Sequence, residues 1–114
     1  MPQAEIIFCG KSLYISGLAA GIQSDRNYHV IRLESPICSI NEEIKMLHPD
    51  LVVFEQNESS DEDVQRFMES YSDICLVGVK PEDDTLTVFY KEGNHVAPVD
   101  RLHLFMKVKG VFCN

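Results

Sequence analysis

The sequence predicts an α/β fold, a three-layer, doubly wound, mainly parallel sheet in strand order 2-1-3-4, with a C-terminal β-hairpin added at one edge. Three observations carry this. The run Leu51-Val52-Val53-Phe54, launched by Pro49-Asp50 and ended by Glu55, is apolar without alternation, as a strand buried on both faces requires. Short apolar runs alternate with segments of helical period, and right-handed crossovers turn that alternation into a wound parallel sheet. After Val79 the pattern changes to alternating, β-branched and aromatic residues interrupted by Gly93-Asn94, which reads as a hairpin in place of a fourth crossover helix.

The elements follow in order. Glu5-Ile6-Ile7-Phe8-Cys9, closed by Gly10, is the first strand, and Ser12 is placed to cap the helix after it. In that helix Ile15, Leu18, Ala19 and Ile22 form one apolar stripe. Gly17 and Gly21 lie inside it, too far along for a phosphate loop, and are expected to allow close approach to a strand. Tyr28-His29-Val30-Ile31-Arg32-Leu33 alternates, as an edge strand does. Ser39-Ile40-Asn41-Glu42 has the form of a capping box for a helix presenting Ile40, Ile44 and Leu47 and closed by Pro49.

Beyond the central strand, Gln56 to Ser60 is a polar loop, and Ser60-Asp61-Glu62-Asp63 starts a third helix that buries Val64, Phe67, Met68 and Tyr71. Ile74 to Val79 is an interior strand. Lys80 to Asp84 turns into Thr85 to Tyr90, and Lys91-Glu92-Gly93-Asn94 turns again into His95 to Val99. Asp100 is placed to cap a closing helix with Leu102, Phe105 and Met106 on its buried side and Gly110 at its end. The whole chain, 1–114, is then one domain, with a core over 4–80, a hairpin over 85–99, a helix over 100–109 and a tail from Val111 to Asn114 free for an interface.

The totals restrict the function classes. A formal charge of −8 on 114 residues opposes direct binding to nucleic acid or to an anionic membrane, both of which need a positive field. No apolar run approaches a membrane span, and Met1 to Glu5 lacks the regions of a secretory signal, so a cytoplasmic location is expected. The four cysteines, Cys9, Cys38, Cys75 and Cys113, have neither zinc-ligand spacing nor the density of a disulfide framework, and read as reduced and mostly buried thiols. His29, His48, His95 and His103 are scattered as surface histidines are. The acids Glu58, Asp61, Glu62 and Asp63 lack the glycine and closing glutamate of a Ca²⁺ loop. No metal, cofactor or catalytic constellation is predicted, and the chain is not expected to be an enzyme.

The order strand-helix-strand-helix, followed by Pro49-Asp50-Leu51-Val52-Val53-Phe54 ending in an acid, resembles the receiver domain of bacterial response regulators, whose fold is flavodoxin-like; the resemblance spans roughly residues 4–80. It implies a phospho-acceptor position at Glu55, where the family carries aspartate. The family's acidic pair at the end of the first strand is here Cys9-Gly10-Lys11, its hydroxyl residue falls near Gly78 or Val79, and its lysine has no match in the hairpin. Phosphoryl transfer to a carboxylate needs a metal and oriented donors, so the resemblance implies a receiver-like module that works without aspartyl phosphorylation.

Two roles are open to Glu55: a solvated strand end near Lys11 or Lys80, or a constitutive mimic of the aspartyl phosphate charge. The expected activity is protein interaction in bacterial signalling or transcription regulation, with a regulator or a kinase as partner and a homodimer formed through Val88, Phe89, Tyr90 and Val96 of the hairpin. The alternative is a small-ligand module in which Lys11, Ser12, Gln56 and Lys80 surround an anion or nucleotide at the strand ends.

Overall fold

The computed structural model describes residues 3–108. They form an α/β fold, a mixed six-stranded sheet with helices on both faces. The strands β1 (Ala4–Cys9), β2 (Tyr28–Leu33), β3 (Leu51–Glu55), β4 (Cys75–Lys80), β5 (Thr85–Tyr90) and β6 (Gly93–Pro98) lie in the order β2-β1-β3-β4-β5-β6. The first four are parallel, whereas β5 and β6 run antiparallel to their neighbours. Four α-helices accompany them: α1 (Leu13–Gln23), α2 (Asn41–Leu47), α3 (Asp61–Ser70) and α4 (Leu102–Val108).

All five residues of β3 are buried, because β1 and β4 flank the strand and helices cover it above and below. Ile6, Phe8, Leu51 and Val53 point into one layer with Ile15, Ala19 and Ile22 of α1 and Leu102 and Met106 of α4. Ile7, Val52, Phe54 and Leu76 point into the other, with Ile44 of α2 and Val64 and Phe67 of α3. Removal of each of the larger of these side chains from water contributes about 1.5–3 kcal/mol, and the 3.6-residue and continuous-run patterns place them.

Local signals succeed where a hydroxyl can reach the first turn. Ser12 accepts from the Ile15 N–H at 3.1 Å and caps α1. Ser60 and Asp63 form a reciprocal capping box on α3. The box expected at Ser39 does not form: Ser39 lies in a 3₁₀ turn over Ile37–Ser39, and α2 starts behind Ile40 with no side-chain cap. Asp100 likewise sits within a 3₁₀ turn, Val99–Arg101, that runs straight into α4, so it caps nothing. The hairpin turn is tighter than expected. Tyr90 pairs with Gly93, so only Lys91 and Glu92 are loop, and Gly93 takes up a φ of +142° on the first residue of β6. The fourth strand begins at Cys75, one residue later than expected.

The close approach to a strand expected at Gly17 and Gly21 is overturned. Both are exposed, and a Cβ at either would meet nothing within 4 Å, because they fall on the solvent side of the stripe that buries Ile15, Ala19 and Ile22. Among the thiols, Cys9 is buried and Cys75 partly so, but Cys38 is exposed; all three are free. Cys113, Gly110 and the tail from Val111 to Asn114 lie outside the described residues, as does position 109 of the closing helix.

Near the start of β2, the turn that follows α1 is fastened to α4 through Asp25. Asp25 accepts from the Asn27 N–H at 2.9 Å and lies 2.8 Å from His103 Nε2 and 3.9 Å from Lys107 Nζ. The Asn27 N–H, then His103 and the Lys107 charge, hold the Asp25 carboxyl below the usual range. Tyr28, buried at the start of β2, places its ring edge-on 5.9 Å from that of His103.

The two exposed helical glycines yield a direct prediction. Gly17→Ala and Gly21→Ala each raise stability by about 0.5–1 kcal/mol, since alanine restricts the unfolded chain and meets open space in the folded one. The urea midpoint rises for each variant with an unchanged m-value; a fall would mean that the helix backbone needs glycine there.

Candidate functional site

The parallel strands point their carboxyl ends to one rim of the sheet, where Cys9, Gly10, Ser12, Arg32 and Glu55 come together. In a wound parallel sheet this rim is where ligands bind. Gly10 turns the chain out of β1 with φ +136°, a conformation that favours glycine. A Cβ there would sit 3.2 Å from Glu58 Oε1 and 3.3 Å from Ile15 Cγ1, so the bare backbone also leaves room for an acid of the loop after β3.

Glu55 is 5% exposed, and its Oε1 accepts a hydrogen bond from the Ser12 hydroxyl. This corrects the expectation of a solvated strand end beside lysine. Lys11 and Lys80 are both exposed, and neither takes part in an ion pair among the described residues. Burial of a carboxylate is costly unless its oxygens are satisfied, and Ser12 supplies the donor while its oxygen caps α1. One hydroxyl thus joins the end of the central strand to the start of the first helix.

Arg32 does comparable work from the edge strand. Its guanidinium donates to Ser16 Oγ at 2.7 Å and to the Gly10 carbonyl at 2.9 Å, while Nε is buried with no partner. By alternation Arg32 belongs to the polar face of an edge strand; its position next to the last residue of that strand is the signal that brings it to the rim. Cys9 is 1% exposed, and burial, reinforced by the charges of Glu43 and Glu58, pushes its thiol up to about 12. A thiol held protonated in this way is a poor nucleophile.

Two of the residues expected to surround a ligand, Ser12 and Gln56, are engaged with other side chains of the fold. Ser12 is engaged with Glu55. Gln56 lies flat over Gly78, accepting from Thr87 Oγ1 at 3.1 Å. A Cβ at Gly78 would run into Gln56 Cγ and stand 3.1 Å from Phe54 Cζ, so the glycine at the position of the expected hydroxyl is what admits the glutamine. No group of three or more His, Cys, Asp and Glu among the described residues is placed to hold a metal ion.

No protein-family model matches the chain, and neither a curated protein nor a solved structure matches it. Chemistry at the rim is therefore read from geometry alone.

The hairpin residues divide. Val88 is fully buried in the layer shared with α4, which removes it from any interface, because β5 turns it inward. Phe89 is partly buried and 5.9 Å from the Phe54 ring, whereas Tyr90 is 38% and Val96 61% exposed. A groove of about 650 Å³ lies between α3 and the hairpin, with Val64, Met68 and Phe89 in its lining. The missing crossover helix after β4 was the signal for it.

Removing the Ser12 hydroxyl takes away a helix cap and leaves a buried carboxylate short of a donor. Ser12→Ala is expected to cost about 2–4 kcal/mol. In a double-mutant cycle with Glu55→Gln, measured by chemical denaturation, the pair shows a coupling of about 1–3 kcal/mol. Additive effects would separate the two residues.

Proposed function

We propose that this chain is a receiver-like, flavodoxin-like module of bacterial signalling or transcription regulation, non-catalytic, which works by binding protein without aspartyl phosphorylation. The observation that carries the proposal is the occupied state of Glu55. A phospho-acceptor has to present a carboxylate to solvent, a metal and a phosphoryl donor. Here the acid at that position is buried and hydrogen-bonded to Ser12. Gly10 and Lys11 stand where a metal-binding pair of acids would, Cys9 is a buried thiol, and Gly78 is covered by Gln56. In this reading the buried Glu55 fastens α1 to the sheet, and recognition belongs to the hairpin end of the sheet.

Self-association fits the outer edge of β6. The strand closes the sheet, and its residues Gly93-Asn94-His95-Val96-Ala97-Pro98 include no lysine, arginine or acid. Among the described residues no strand pairs with its outer edge, and Pro98 blunts that edge at its last position, so a second copy has backbone groups there to pair with.

Two outcomes check this reading. With Mg²⁺ and acetyl phosphate, intact-mass measurement of the wild-type chain shows no phosphoryl adduct; an adduct on Glu55 would overturn phosphorylation independence. Sedimentation equilibrium shows a dimer that Val96→Lys converts to monomer, with stability changed by no more than about 0.5 kcal/mol because the side chain is exposed. A wild-type monomer would remove self-association from the proposal, and a dimer untouched by Val96→Lys would move it away from β6.

A further inference from the structure

We infer that the groove between α3 and the β5–β6 hairpin docks a basic amphipathic helix from another protein, an inference that rests on the interaction-module reading and names its partner. The two faces of the hairpin differ. On one, Leu86 and Val88 share a buried cluster with Leu102 and Met106 of α4. On the other, directly opposed residues share a face, so Phe54, Gly78, Thr87 and Val96 form one row and Leu76, Phe89 and Asn94 the next. Helices α2 and α3 cover the β1 to β4 part of this face, with Phe89 at the margin of the cluster. Past Phe89 no described helix covers it, and Val96 is 61% exposed.

The resulting groove of about 650 Å³ is lined by both kinds of side chain, with Val64 and Met68 of α3 and Phe89 of β5 beside the polar Gln65, Ser72 and Asn94, a mixture that an amphipathic partner matches better than a wholly apolar one. It runs alongside α3, so a helix laid in it would lie in the same layer, over the strands that lack one. A helix also supplies apolar side chains at i, i+3, i+4 and i+7 to meet such a surface. Met68, unbranched and polarizable, suits a contact that must adapt to its ligand.

Charge selects the occupant. Asp61 and Glu69 border the groove, and Asp73 and Glu92 border a hollow of about 370 Å³ that shares Met68 and Phe89 with it; Lys91 is the cation in both linings. A cationic helix is attracted to these four carboxylates, which outnumber the single lysine.

The probe is a fluorescein-labelled helical peptide with leucines at i, i+3, i+4 and i+7 and lysines elsewhere, titrated at physiological ionic strength, where long-range attraction to net charge is screened. Binding to the full chain is expected to be saturable. Glu69→Lys with Asp73→Lys weakens it about tenfold, while Glu34→Lys with Glu42→Lys, an equal change of net charge at exposed sites outside the groove, changes it by less than about twofold. Amide shifts on peptide addition concentrate at Val64, Met68 and Phe89.

Equal weakening by the two double variants, or no binding, overturns the inference and leaves the phosphorylation-independent module standing. Shifts concentrated at Ser12 and Glu55 overturn both, since the strand ends would then be the binding site. Shifts at the groove that appear on raising protein concentration without peptide assign it to a second copy and overturn the basic helix.

Discussion

The Ser12–Glu55 hydrogen bond is the constraint around which the upper rim of the sheet is arranged. The central strand is buried along its full length, so the acid that ends it cannot reach water as an ordinary strand-end carboxylate does. A buried carboxylate left without donors is a large penalty. The hydroxyl of Ser12 answers it from the first residue that could cap α1, and the φ of +136° at Gly10 turns the chain from β1 toward that position. Helix start, strand end and the glycine between them are one linked solution. The linkage also bears on chemistry, because the side chain best placed to react at the rim is the one fixing its structure.

A second constraint comes from the change of strand direction after β4. A parallel crossover would have laid a helix over the sheet before the next strand. The short turn into β5 omits it, and a left-handed Asp84 together with the Val99 N–H bonded to the Asp84 carbonyl at 2.8 Å closes that end of the hairpin. Antiparallel strands tolerate a wet face, so the sheet stays stable with one side of β5 and β6 uncovered. Gln56 and Thr87 deal with the part nearest the rim by bonding each other over Gly78. Nearer the turn, Phe89 and the flank of α3 are left facing solvent together.

Periodicity made the layout legible, since it reports burial directly. The unbroken run Leu51 to Phe54, the stripe Ile15, Ala19 and Ile22, and the alternation in β5 each record which sides of an element are covered. Capping was legible only in part. Ser12 and Ser60 precede helices that begin immediately after them, whereas Ser39 and Asp100 lie in 3₁₀ turns whose hydrogen bonds place the next helix start elsewhere. The roles of Gly17, Gly21 and Gly78 depend on what stands opposite them, which spacing does not encode: open water for the first two, Gln56 for the third. Glu55 was legible as the end of a buried strand, but its partner lies 43 residues away, and no local pattern links a strand-end acid to a particular cap.

The rim and the groove differ in what a ligand would have to displace. At the rim, the polar side chains are turned on one another: Ser12 on Glu55, Arg32 on Ser16 and the Gly10 carbonyl, Thr87 on Gln56. A ligand entering there has to displace bonds that the fold itself uses, so its binding would be weakened by the cost of breaking them. At the groove, Asp61, Glu69 and Lys91 stand beside Met68 and Phe89 in a mixed polar and apolar lining and have water as the competitor for a partner's charges and methyl groups. Displacing water from the half-buried Met68 and Phe89 is favourable on area alone, while the acids choose the sign of what arrives. The chain therefore closes the strand-end rim with internal hydrogen bonds, while the face that the absent helix left open is the one where a partner would compete with water alone.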